Sequence, residues 1–515
     1  MRILVTGGAG FVGSHLVDAL LLEGHEVICV DSFFSGKPDN VAHHKDNAKF
    51  RLIKHDVREP LKGIDSLDRI YHLACPASPT QYQFDPVLTL ETSVIGTQNM
   101  LKLARRTGAR MLYTSTSEAY GDPLEHPQKE TYWGNVDTLG KRACYDEGKR
   151  AAETLCKDYH EQYGVDVRLV RIFNTYGPRM MFNDGRVLSN FMLQALLGQD
   201  ITVHGDGKQT RSFMYVSDLV AGLMKRMEVQ SDDWKPVNLG NPDERTIKNA
   251  AEMVKEMTDS KSAVAHIPMS QVPEREGDPK QRCADISRAK SLLGWEPTVT
   301  FEVGLQSSID DFKERLKNKP RMLVFTPAYL PEKGPAEKKA QQVMRQLSGY
   351  EFDVITTKIG STKADEDDGT IHIHRIGKGN RFDKVFYPIR AALLARTLHK
   401  THGHRVAWAI MASHGALAAI IFSWMKRHVP VVLSVYEGKI SEEKLKRGKL
   451  LSPLYKLIFR RSHRWQVIGN MSQQQQAWLE EERHVQVVQD DADLAMLTKR
   501  TRELFQEAEI LSSRM

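Results

Sequence analysis

The stretch Thr6-Gly7-Gly8-Ala9-Gly10-Phe11-Val12-Gly13 decides the fold. It follows a short apolar run, Ile3-Leu4-Val5, and opens a segment, Phe11–Glu23, whose apolar residues recur at helical spacing. Gly7, Gly10 and Gly13 recur every three residues between that predicted strand and helix. Glycine is needed where a turn is tight and where backbone must touch a pyrophosphate, and the helix N-terminus then faces the phosphate charge. Phe11 and Val12 lie in that first helical turn. A bare glycine turn would look the same, but the next predicted strand, Glu26–Asp31, ends in an acid. Asp31 can accept hydrogen bonds from adenosine ribose hydroxyls, which favours NAD over NADP. Asp56-Val57, after the third run, either meets the adenine or is a solvated turn.

Outward from this motif, β-type runs alternate with helical patterns. Arg2–Thr6, Glu26–Asp31, Phe50–His55, Arg69–Ala74, Met111–Ser115 and Val167–Phe173 read as strands, with Phe11–Glu23 and Thr92–Thr107 among the helices. Such alternation implies a parallel sheet covered on both faces, an α/β Rossmann-type domain. Beyond Phe173 the pattern loosens into a smaller lobe, mainly residues 174–300, and ends in a helical Val303–Lys317. Residues 317–320, Lys-Asn-Lys-Pro, are polar and read as a linker between a first domain, 1–316, and a second, 321–490. The second alternates again: Arg321–Thr326, Phe352–Thr356, Ile371–Ile376, Ala407–Met411, Val431–Val435 and Trp465–Ile468 as strands, Ala336–Leu347, Pro388–His402 and Ala416–Lys426 as helices. Residues 491–515 read as a C-terminal helix and the acidic Asp365–Gly369 as a solvated loop.

Length and composition agree. A chain of 515 residues suits two or three domains, and 27% charged with 41% hydrophobic residues excludes a disordered protein. The net charge of +7 is unevenly spread: residues 321–515 hold 31 Lys and Arg against 21 Asp and Glu, whereas the first 320 hold 41 against 44. Five cysteines, Cys29, Cys75, Cys144, Cys156 and Cys283, show no zinc-type spacing and imply no disulfide framework, so reduced thiols and a cytoplasmic location are expected, with no metal. The N-terminus lacks the apolar region of a signal peptide. The one membrane-like stretch, Ala407–Met425, contains Ser413, His414, Gly415 and Ser423 and reads as a buried strand turning into a buried helix.

Chemistry enters with Tyr145 and Lys149, at i and i+4 on one helix face. A free tyrosine is a poor base at neutral pH. A nearby ammonium and a positive nicotinamide ring favour the phenolate. Ser115-Thr116-Ser117-Glu118, at the end of a β-run, supplies hydroxyl donors.

At this point the chain resembles the extended short-chain dehydrogenase/reductase superfamily and, within it, the UDP-glucuronic acid decarboxylases (UDP-xylose synthases). The resemblance covers roughly residues 1–316. It rests on HLACPASP (72–79), STSEAYGDP (115–123), CYDEGKR (144–150), RIFNTYGPRM (171–180), DGRVLSNF (184–191) and QTRSF (209–213). Sugar-nucleotide 4,6-dehydratases carry Thr-Asp-Glu where this chain has Thr116-Ser117-Glu118, and epimerases of the superfamily generally lack the glutamate.

The resemblance implies NAD, tightly held and recycled, with Tyr145, Lys149 and Ala74 lining its site, and UDP-glucuronate as substrate. Tyr145 takes the 4-hydroxyl proton while hydride leaves C4, the 4-keto acid loses CO₂, and Tyr145 with Thr116 stabilises the enolate. Glu118 matches the family's active-site glutamate. Arg282 matches an arginine of the decarboxylation step that holds the carboxylate or positions proton donors; without the family, a surface ion pair is the plainer reading. The family continues that arginine with Lys-Pro-Asp, but here Cys283-Ala284-Asp285 follows. Asn174 and Arg211 match positions that hold the uridine diphosphate, an arginine fork suiting a phosphate. Tyr82 falls near the sugar-contacting tyrosine, and Ser117 beside the sugar. A homodimer is usual in the superfamily, through helices that include the Tyr145 helix.

Residues 321–490 resemble the N-terminal half of GT-B glycosyltransferases, on MLVFTPAYLP (322–331), YEFDVIT (350–356) and VVLSVYEG (431–438). Too few residues follow for a donor-binding half, so the resemblance implies an acceptor-recognition or docking half working with a separate glycosyltransferase, or a remnant. The basic stretch Lys439–Arg464, with leucines interleaved, is either a solvated helix face or a surface for anionic lipid, a peripheral membrane contact. No aromatic platform or basic groove speaks for nucleic acid.

Overall fold

The computed structural model describes residues 1–515 apart from 84, 183–184, 231, 273–280, 318, 330–333, 348–349, 360–361, 369, 380–382, 412, 437–461, 469–484, 489–496, 499, 502–503, 506–507 and 509–515. It divides into two units, Met1–Arg315 and Leu316–Met515. The expected linker at 317–320 thus starts one residue inside the helix Phe301–Lys317, at the edge of the second unit.

In the first unit the β-branched runs do what their composition dictates. Arg2–Thr6 and Glu26–Asp31 are buried along nearly their whole length. Their side chains alternate between two layers. Ile3, Val5, Val27 and Cys29 face a cluster with Leu16 and Leu20, while Leu4, Ile28 and Val30 face Met100 and Leu101. The result is a parallel seven-stranded sheet. Its spatial order is Val237–Leu239, Val167–Ile172, Arg110–Thr116, Arg69–His72, Arg2–Thr6, Glu26–Asp31, Phe50–Lys54. The chain order reverses between Arg2–Thr6 and Arg69–His72, and the crevice beyond the carboxyl ends of those strands is where such sheets bind ligands. The small lobe is built from short paired strands, including Thr210–Ser212 with Glu244–Thr246 and Ile201–His204 with Val264–Ile267.

The second unit is an eight-stranded sheet in the order Asp365–Asp368, Ile371–Ile376, Glu351–Thr357, Arg321–Phe325, Val406–Ile410, Val431–Tyr436, Arg464–Ile468, Val485–Val488. All neighbours are parallel except the first pair. The expectation of a solvated loop at 365–369 is therefore corrected. Asp365–Asp368 is an antiparallel edge strand, held because Asp365 pairs with His374 at 2.8 Å and Glu366 with Arg375 at 2.8 Å across the ladder. The membrane-like stretch is a buried strand, Val406–Ile410, and a helix, His414–Met425, as its alternation implied. Among the described residues no helix is long and apolar enough to cross a membrane. Leu497, Leu504, Phe505 and Ala508, among the described residues near the C-terminus, are buried in this unit's core beside Trp408. Most of the basic stretch Lys439–Arg464, through 461, lies outside the described residues, as does the sequence 277–280 before Arg282.

Candidate active site

The glycine turn closes as its spacing requires. Gly7 takes a left-handed φ of +69° and donates to Val30 O at 2.8 Å; a methyl group there would stand 3.0 Å from Ala74 N. A methyl on Gly13 would lie 2.0 Å from Gly7 O, so only glycine lets the helix Phe11–Leu22 press onto the turn. Ala74 N donates in turn to Thr6 Oγ1 at 3.3 Å, which also bonds His72 Nδ1 at 2.6 Å. His72 is buried and its pKa is pushed down to about 3 by that burial, so it stays neutral.

Asp31 is also where expected, buried at the end of its strand, and burial raises its pKa. Its carboxylate accepts from Ala9 N at 3.0 Å and Phe33 N at 2.8 Å, tying the glycine turn to the second strand. Asp56 pairs with Arg58 at 2.9 Å, and Arg58 with Glu91 at 2.7 Å, so Asp56 is held in an ion pair rather than a bare turn. Val57 is buried, and its carbonyl accepts from Asn99 Nδ2 at 2.9 Å. A turn that brings backbone to a helix N-terminus, with an acid at the next strand end, fits a dinucleotide.

Tyr145 and Lys149 project from the helix Ala143–Tyr163 and are both buried. Lys149 Nζ stands 6.0 Å from the Tyr145 ring centre and donates to Thr114 O at 2.7 Å. Burial pushes the Tyr145 hydroxyl up, against a hydrogen bond with Thr116 that pulls it down, and burial also lowers Lys149. Thr116 ends its strand and caps the following turn, accepting from Glu118 N at 3.1 Å. Ser117 is buried in that turn. Tyr82 is buried and lies flat on Tyr145, ring centres 5.2 Å apart.

Glu118 is the electrostatic centre. One carboxylate oxygen accepts from Arg282 Nη1, and the other lies 2.5 Å from Arg142 Nη2. Burial alone would raise its pKa, but the two guanidinium charges hold it down, at about 2. Arg282 is 3% exposed and also donates to Gly121 O at 3.1 Å, which removes the surface-ion-pair reading. Asp146 is buried as well; burial first, and then the Glu118 charge, push its pKa up to about 8. Sequence reading passed over Arg142 and Asp146, although both flank Tyr145. Asn174 and Arg211 belong to the lobe: Asn174 O accepts from Met214 N at 2.9 Å, and Arg211 sits on Thr210–Ser212, whose Ser212 Oγ donates to Arg282 O at 3.4 Å. All five cysteines are free.

A reversed parallel sheet with a glycine turn, a Thr/Tyr/Lys set and a small second lobe defines an extended short-chain dehydrogenase/reductase acting on sugar nucleotides. The model of the family described as GDP-mannose 4,6 dehydratase matches residues 4–308, and the chain belongs to that family. Over 318 residues it is 57% identical to UDP-glucuronic acid decarboxylase 1 of Arabidopsis thaliana, covering 62% of this chain and 71% of that protein. UDP-glucuronic acid decarboxylase 1 of Danio rerio is 56% identical, over 62% of this chain and 74% of that protein. Among solved structures, the UDP-glucuronic acid 4-epimerase of Bacillus cereus in complex with UDP-glucuronic acid and NAD is 28% identical at a TM-score of 0.55, covering 61% of this chain and all of that one (100%). The family model ends before the second unit begins.

Proposed function

We propose that the first unit is an NAD-dependent UDP-glucuronate decarboxylase that makes UDP-xylose. The observation that carries this is Glu118, clamped between Arg282 and Arg142 in the turn that follows Thr116. The decarboxylase relatives at 56–57% identity support it.

Gly7, Gly10, Phe11, Val12, Gly13 and Asp31 would hold the dinucleotide, with Asp56, Val57 and Ala74 further along it and Tyr145 and Lys149 at its reactive end. Bound there, NAD would supply a hydride acceptor for C4 and a positive ring that favours the Tyr145 phenolate, and would end the cycle unchanged. Tyr145, in reach of Thr116, receives the 4-hydroxyl proton. The 4-keto acid so formed carries its carboxylate β to a ketone, and CO₂ leaves with the electron pair passing into an enolate. Tyr145 OH and Thr116 OH donate to that oxyanion; a proton from water then adds at C5, and Tyr145 returns its proton to O4 as C4 is reduced again, which gives UDP-xylose. Lys149 fixes the Tyr145 helix to the strand through Thr114 O. Asn174 and Arg211 would hold the diphosphate, and Tyr82 and Ser117 the sugar.

A 4,6-dehydratase needs an acid where Ser117 stands, and a sugar-nucleotide-sensing scaffold has no need of Thr116, Tyr145 and Lys149 together; a 4-epimerase has no use for the Glu118 and Arg282 clamp. Purified chain given UDP-glucuronate should release CO₂ and UDP-xylose. Untouched substrate, or conversion to UDP-galacturonate alone, rejects the reading.

The chain also pairs with a second copy in this proposal, through the surface that carries exposed Val87, Leu90 and Ile95 beside the Tyr145 helix. For the second unit, the parallel sheet supports an acceptor-recognition or docking half of GT-B type that serves a separate glycosyltransferase.

A further inference from the structure

Arg142 has no role in the sequence reading, yet it meets both Glu118 and Asp146 beside Tyr145. It directly precedes the helix Ala143–Tyr163. Its Nη2 lies 2.5 Å from Glu118 and its Nε 3.8 Å from Asp146. Its guanidinium stands 5.9 Å from the centre of the Tyr82 ring, which in turn stacks on Tyr145. One side chain therefore meets the turn after Thr116, the helix that carries Tyr145, and the ring that packs against Tyr145.

Two carboxyl groups and two guanidinium groups lie together here, all largely shielded from solvent. Glu118 and Asp146 cannot both ionise cheaply at close range. Arg142 settles which one does, because it stands closer to Glu118 and approaches the oxygen that Arg282 leaves open. Arginine fits this position because its charge is permanent and its planar fork reaches two acceptors at once. With Arg142 gone, Glu118 would keep one cation instead of two, and Asp146 would compete with it for charge.

We propose that Arg142 is a positioning residue of the decarboxylation: it fixes Glu118 as an anion against Arg282 and locks the Glu118 turn to the start of the Tyr145 helix. It acts through Glu118 and does not itself meet the reacting atoms. The proposal rests on the decarboxylase reading above. The groups facing Glu118 are Arg142 and Asp146 from the helix, Arg282 from the far side, and Tyr145.

The test is kcat and KM for UDP-glucuronate from pH 5 to 9, on the full chain with NAD, in the parent, Arg142→Gln and Arg142→Lys. The parent should keep its kcat down to the acid end of that range. Arg142→Gln should lose roughly 10–100-fold in kcat, part of what a misplaced catalytic group costs, with KM changed less than about 3-fold. Its kcat should also fall on the acid side with a midpoint moved up into the measured range. Arg142→Lys should recover part of the turnover and return the acid limb toward the parent's. A variant with lost turnover but an unmoved acid limb shows a merely structural role and overturns the proposal, as does full activity in Arg142→Gln. If Arg142→Gln fails to fold by circular dichroism, Arg142→Met takes its place: an acid limb displaced from the parent's supports the proposal, and an unchanged profile rejects it. A parent that releases no CO₂ rejects the decarboxylase reading and this proposal with it, whereas an active parent with unmoved variants rejects this proposal alone.

Discussion

The ring of Tyr82 lies on the ring of Tyr145, their planes 10° from parallel and their centres 5.2 Å apart. A general base works only if its oxygen is held in place, and here one face of the tyrosine proposed for that role is held by another tyrosine. Tyr82→Phe keeps the stacking surface and should keep the melting temperature close to the parent's. Tyr82→Ala opens a cavity against Tyr145. It should cost about 3–5 kcal/mol of stability, as buried aromatic truncations do, with a further loss of kcat at unchanged pH dependence. Chemical denaturation and steady-state kinetics on both variants check this.

Tyr145→Phe removes the hydroxyl that meets Thr116 while keeping the ring on Tyr82. Turnover of UDP-glucuronate should fall by roughly 10²–10⁴-fold, the usual cost of a lost acid/base group. Binding of UDP-glucuronate, read by calorimetry, should change little. Near-normal turnover would remove Tyr145 from the role assigned to it.

Asp146 gives a prediction of opposite sign to that of an ordinary acid. Its pKa is raised by burial and by the Glu118 charge, to about 8. The folded chain therefore binds a proton there that the unfolded chain has already released, across the range from the ordinary aspartate value upward. Stability contributed by the neutral carboxyl is present at low pH and is lost as pH rises toward about 8. Asp146→Asn cannot ionise, so its melting temperature should gain on the parent's steadily between about pH 4 and 8 and run parallel above that. A constant difference across that range would show Asp146 ionised throughout.

The parts legible in the sequence were those whose partners lie close along the chain. Gly7, Gly10 and Gly13 announce a turn because a strand and a helix flank them at once, and Tyr145 and Lys149 share a face because one helical turn separates them. The period-2 burial of Ile3, Leu4 and Val5 likewise needs only the strand itself. What escaped was set by distant chain. Arg142 looks like any cation before a helix until the fold brings Glu118 to it. Asp146 looks solvated because nothing local says that its helix face is buried. Arg282 reaches Glu118 across 164 residues, and only the family resemblance singled it out. The run Asp365–Asp368 read as a loop because exposed acids are poor strand formers by composition. Its cross-strand partners His374 and Arg375 reverse that preference, and the pairing is invisible without the register.

The second unit contains a charge relay with a structural consequence of its own. Asp353 is 1% exposed on a central strand and accepts from His374 Nε2 at 2.9 Å and His404 Nε2 at 2.6 Å. Burial opposes the Asp353 charge, but the two imidazoles and Arg321 hold its pKa far below the usual carboxylate range. Burial likewise opposes the His374 charge, and the bonds to Asp353 and Asp365 outweigh it, so the pKa of His374 is raised. A histidine whose pKa is higher folded than unfolded stabilises fully below the unfolded value and loses that contribution as pH rises through the folded value. The calorimetric transition of the second unit should therefore move to lower temperature as pH increases above about 6.5, the free histidine value. His374→Gln should flatten that dependence and leave the activity of the first unit at its parent level. Asp353→Ala strips the partner from the buried His404 and the part-buried His374 and should destabilise the unit by about 3–5 kcal/mol, the usual cost of breaking a buried pair from one side. A second-unit transition that is level from pH 6 to 9 in the parent would show that His374 carries no charge in this cluster.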